Sequence, residues 1–139
     1  MVKLIVGNKG KGKTKHLLDT VNKAVKEVAG SIVYLDKSTK HMYELNNKVR
    51  LINVPDYMIT NSDEFLGFIC GILSQDHDLQ QMYLDSFLKI ACLEDKEIDA
   101  VIHKLEEIST NFHVDFVISI SKDETDLPDA FKPMILVSL

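Results

Sequence analysis

LIVGNKGKGKTKHLL, residues 4–18, sets three glycines and four lysines directly behind a short apolar run. Gly7, Gly12, Lys13 and Thr14 make the spacing G-x-x-x-x-G-K-T, and each position has a mechanical reason. Gly7 ends a strand. Gly12 lets backbone amides approach an anion closely, and the helix that follows points its positive pole at the same place. Lys13 is expected between the β- and γ-phosphates of a nucleoside triphosphate. Thr14 is expected to offer its hydroxyl to Mg²⁺, with phosphate oxygens and water completing the shell. The expected nucleotide-binding set is Gly7, Asn8, Lys9, Gly10, Lys11, Gly12, Lys13, Thr14 and Lys15, of which Lys9 and Lys11 go beyond what the pattern requires.

The flanking sequence has the context this loop needs. Lys3–Val6 reads as a strand, and Lys13–Ala29 reads as a helix, with Leu17, Leu18, Val21, Ala24, Val25 and Val28 in helical period and Gly30 after it. Ser31–Leu35 and Lys48–Asn53 are further strands, the second more alternating and so expected near an edge. Between them Thr39–Asn46 is expected to form a short helix. Asn61 followed by Glu64 resembles a cap on a helix that carries Phe65, Leu66, Phe68, Ile69, Ile72 and Leu73 and ends near Ser74–Asp78. Gln81–Leu84, Val114–Ile120 and Met134–Val137 read as strands, with a helix over Lys96–Phe112. Strands alternating with helices imply right-handed crossovers and an α/β three-layer sandwich with a mainly parallel sheet of five to six strands.

The 139 residues suit one domain, 1–139, with no room for a separate lid. No apolar run is long enough for a membrane span, so a soluble chain without membrane insertion is expected. The opening residues show no basic-then-apolar leader. A cytoplasmic setting is expected, with Cys70 and Cys92, set among apolar neighbours, as buried free thiols. The net charge of −5 is uneven: residues 1–50 carry eleven Lys or Arg against four Asp or Glu, and the rest five against seventeen. One phosphate site accounts for much of that basic half, and a pI near 5.5 opposes a broad polyanion surface, so nucleic acid is the less expected partner. The acidic run Asp123, Glu124, Asp126 and Asp129 around Pro128 reads as a solvated loop with one helical turn.

GNKGKGKT, residues 7–14, together with the element order, resembles the P-loop nucleoside triphosphatases in their minimal RecA-like form. The chain as a whole is similar to short stand-alone bacterial P-loop proteins described as ATP-binding or PilT-like. The resemblance implies ATP and Mg²⁺ as cofactors and a metal-associated Asp at the end of an apolar strand next to the first. IVYLD, ending at Asp36, and MYLD, ending at Asp85, both qualify, and element order favours Asp85 with Thr14 for the metal. Asp36 is then left at a neighbouring strand tip, where it could orient a water while Lys13 stabilises the transferring group. LINVPDY and SKDE fall short of a guanine-specific switch, having Asn53 and Ser121 at the deciding positions, so adenine is expected.

Ser86 follows Asp85, so no Glu stands beside the metal-associated carboxylate. The one arginine, Arg50, lies on or near the third strand, so a cis arginine finger is not expected; any finger would come from another subunit or partner, or be replaced by lysine. Ser119 and Ser121 stand where such folds often sense the γ-phosphate. The histidines, His16 and His103 among them, form no metal or catalytic set. The residues thus suggest ATP binding with slow hydrolysis in a switch or accessory subunit, working with a protein partner or a second copy of itself. A small-molecule or nucleoside kinase, or an interaction module that keeps its nucleotide without turning it over, are the alternatives.

Overall fold

In the computed structural model, which describes residues 1–139, the chain runs through β1 (Val2–Val6), α1 (Lys13–Ala24), β2 (Ser31–Asp36), β3 (Val49–Asn53), α2 (Ser62–Gln75), β4 (Leu79–Leu84), α3 (Phe87–Ile90), α4 (Asp99–Phe112), β5 (Asp115–Ile120) and β6 (Ile135–Ser138). Six strands form one sheet in the order β3-β2-β4-β5-β1-β6, and every neighbouring pair is parallel. β3 is an edge strand, as its alternation suggests.

Alternation along the strands sorts two apolar layers. Leu4, Val33, Leu35, Met82, Leu84, Phe116 and Ile118 face α2, α3 and α4, while Ile5, Ile32, Tyr34, Tyr83 and Val117 face α1. α1 covers its side with Leu17, Leu18 and Val21, each burial contributing about 1.5–3 kcal/mol. The result is a helix–sheet–helix α/β sandwich. No helix is long and apolar enough to cross a membrane.

Several boundaries differ from the sequence reading. α1 stops at Ala24 rather than Ala29. The chain then tightens, Lys26 and Glu27 donating to the carbonyls of Lys23 and Ala24, while Val25 and Val28 still pack on the α1 layer. Gly30 is needed for close approach: a Cβ there would meet the Asp78 carbonyl at 2.1 Å. Thr39–Asn46 forms only one 3-10 turn, Met42–Glu44. The helix expected from Lys96 begins at Asp99, because Leu93–Lys96 is a turn closed by the Lys96 N–H on the Leu93 carbonyl, with Asp95 in the left-handed region. α3 was not expected at all. In the acidic run Glu124, Asp126 and Asp129 are exposed and Asp123 is half-buried, and the segment carries two 3-10 turns, Glu124–Asp126 and Asp129–Met134.

The expected cap is present: Asn61 accepts from the Glu64 N–H at 2.8 Å, and Glu64 returns to the N–H of Thr60. The cysteines are not buried. Cys70 is exposed and Cys92 partly so, because the apolar stripe of α2 runs through Phe65, Ile69, Ile72 and Leu73 and leaves Cys70 off it.

Candidate functional site

The loop between β1 and α1 leaves the sheet at Gly7, whose N–H donates to the Lys122 carbonyl at 2.8 Å. Gly7, Gly10 and Gly12 have φ of 154°, 82° and 90°, values that an L side chain rarely adopts. At Gly10 and Gly12 a Cβ would meet only open space, so the backbone alone demands glycine. Gly7 is also crowded by Leu139, 3.1 Å from where its Cβ would lie. From Asn8 to Lys15 no backbone N–H donates a hydrogen bond within the protein; the next, of His16, closes the first turn of α1 on Gly12. A run of free donors at a helix amino terminus forms an anion-binding concavity.

Lys13 reaches into the same concavity. It is 9% exposed, and its ammonium donates to the Asn8 carbonyl at 3.1 Å. Burial lowers its pKa; the charge of Asp85 acts in the opposite direction and that of Lys9 in the same one. A buried ammonium whose one hydrogen bond goes to a carbonyl has N–H donors left for an anion.

Asp85, at the carboxyl end of β4, is 2% exposed and gathers four donors. Its Oδ2 accepts from the Tyr34 hydroxyl at 2.7 Å. Its Oδ1 accepts from the Ser119 hydroxyl and the Ser86 N–H, both at 2.8 Å, and from the Thr14 hydroxyl at 3.3 Å. This carboxylate therefore ties α1, β2 and β5 to β4. It also holds Tyr34 neutral: burial first, then the charge of Asp85 and the hydrogen bond to it, push the phenol far above its ordinary range. The resemblance implies a metal-associated strand next to β1; β4 is instead separated from β1 by β5, and Ser119 spans the gap.

Asp36 lies one strand further out. It is also 2% exposed, and its Oδ1 accepts from the Lys37 N–H at 2.7 Å while its Oδ2 has no partner. Asn53, paired with it in register on β3, likewise has a buried Oδ1 without a partner. Burial, and then the charge of Asp85, push the Asp36 carboxyl up to about 6. Its folded pKa thus lies above its unfolded value, the folded protein holds the extra proton between the two, and stability falls as pH rises from about 4 to about 6. Asp36→Asn keeps the acceptor for Lys37 and removes the buried charge. In urea unfolding it should exceed the parent by about 1–3 kcal/mol at pH 7, with the gap closing toward about pH 4. A variant less stable than the parent at pH 7 would mean that the carboxylate is held charged by a partner.

The loop opens on a cleft of about 550 Å³ at the carboxyl ends of the strands. The structure brings Lys9, Gly10, Gly12, Lys13, Thr14, Asp85, Ser119 and Ser121 together around it. Asp36, Gly7, Asn8, Lys11 and Lys15 are not among its lining residues, and Lys11 and Lys15 are exposed. His16 is also exposed, and His103 pairs with Glu106 at 3.2 Å beside the ring of Phe131. Lys37, Ser86, Lys89, Glu94 and Asp95 line the cleft without having been foreseen. Lys37 follows a strand tip and could have been found that way. Glu94 and Asp95 depend on the turn after α3, which no spacing signals.

No cluster of three acidic, His or Cys side chains could hold a metal by itself. The hard oxygens of Thr14 and Asp85 nevertheless suit Mg²⁺ with its other positions on phosphate and water. Asp85 already accepts four hydrogen bonds, so it fits an ion held through Thr14 and water better than one it ligates directly. No protein-family model matches this chain, and no curated protein matches it either.

Proposed function

We propose that this chain is a P-loop protein of minimal RecA-like type that binds ATP with Mg²⁺, hydrolyses it slowly and acts as a nucleotide-dependent switch or accessory subunit. One observation carries the reading: Lys9, Gly10, Gly12, Lys13 and Thr14, whose backbone N–H groups have no partner, line a single cleft together with the buried ammonium of Lys13. Neutral ligands would leave that ammonium unpaired, whereas a triphosphate satisfies it and the amides together. Bound Mg²⁺ would neutralise charge on the β- and γ-phosphates, with Thr14 as its protein ligand and Asp85 orienting that hydroxyl. Ser119, tied to Asp85, and Ser121 line the wall that a terminal phosphate would face.

Slow turnover fits the carboxylates present. Asp85 is saturated by donors, and Asp36 does not line the cleft, which speaks against it as the water-orienting residue. Glu94 and Asp95 do line it, but on an exposed turn. A kinase reading has one observation in its favour: a second cavity shares Lys37 and Lys89 with the cleft.

Calorimetric titration with ATP, ADP and GTP, with and without Mg²⁺, followed by overnight phosphate release, tests the proposal. The expected outcome is ATP binding that Mg²⁺ strengthens by about tenfold, or about 1.4 kcal/mol, with little phosphate released. Failure of all three nucleotides to bind would overturn it.

A further inference from the structure

Beside the cleft lies a second cavity of about 390 Å³, within the range of small-molecule sites. Val54, Met58, Ile59, Ile90 and Cys92 line it, and Ser38 adds a hydroxyl. Lys37 and Lys89 line both cavities and so stand at the threshold between them. Neither lysine forms an ion pair, and no carboxylate lines the second cavity.

We infer that the second cavity is a binding subsite for a small amphiphilic anion, its apolar body against Met58, Ile59 and Ile90 and its charged end at Lys37 and Lys89. The charge pattern selects that chemistry. Two unpaired ammoniums at the mouth favour an anionic head, and apolar walls without a carboxylate favour a hydrocarbon body. The head then lies on the wall shared with the cleft, so the occupant meets whatever anion the loop holds. Lys37 and Lys89 line both cavities, so an anion in the cleft would share them with the occupant of the subsite.

The site can be tested without nucleotide, so the outcome is separate from the fate of the ATP reading. Octanoate, octanol and acetate are titrated into the full chain while methyl NMR resonances of Val54, Met58, Ile59 and Ile90 are followed, with Val21 and Leu105 as remote references. Octanoate is expected to shift the four cavity methyls saturably, with an affinity about fivefold or more above that of octanol, and acetate to leave them in place. The Lys37→Ala/Lys89→Ala double variant changes only exposed side chains and should bring octanoate down to the level of octanol. Equal binding of octanol, an unchanged double variant, shifts spread to the reference methyls, or no shifts at all would each overturn the inference.

Discussion

Lys13→Ala is expected to weaken ATP binding by on the order of 100-fold, about 3 kcal/mol, while leaving the fold intact. The ammonium is buried, its one hydrogen bond goes to the Asn8 carbonyl, and burial already opposes its charge. Removing it therefore relieves a desolvation penalty in the free protein and takes charge-assisted bonds from the complex. Thermal unfolding of the free variant should show a Tm no lower than the parent's, and titration calorimetry should show the loss of binding. Binding within about threefold of the parent would mean that the triphosphate is held elsewhere.

Asp85→Asn should abolish the Mg²⁺ dependence of ATP binding, reducing an expected tenfold effect to less than about twofold. The same substitution tests the hub. An amide can keep its oxygen toward Ser119, Ser86 and Thr14 and turn its NH₂ to the oxygen of Tyr34, so the expected loss of stability is about 1–3 kcal/mol. Asp85→Ala, which strands the buried hydroxyls of Tyr34 and Ser119, should lose about 3–5 kcal/mol in urea unfolding. Asp36→Asn should leave the Mg²⁺ effect intact. If it instead removes the effect and Asp85→Asn does not, the two carboxylates have been assigned in reverse.

The glycine-rich loop was legible because its constraints are local: residues 7–14 contain both the positive-φ positions and the lysine that folds in over them. The choice between Asp36 and Asp85 was harder. Each follows a leucine at the end of an apolar strand, and what separates them is the placement of β4 beside β5, a pairing between distant segments. That pairing brings Ser119 to Asp85. Nothing local marks Glu94 and Asp95 as cleft residues, since the left-handed backbone at Cys92 and Asp95 arises from how the turn after α3 packs. Cys70 was readable and misread. Its apolar neighbours suggested burial, although the period of Phe65, Ile69, Ile72 and Leu73 already leaves it on the outer face of α2.

The strand that begins the loop is completed by the strands that come last. Leu4 pairs with Ile118 and Ile135, Val6 with Ile120 and Ser138, and the N–H of Gly7 is held by Lys122. During synthesis the first turn of α1 emerges early, yet its loop has no frame until more than a hundred further residues have followed. On the proposed reading, a nascent chain in which β5 and β6 have not yet closed on β1 therefore lacks the framed loop that nucleotide would need.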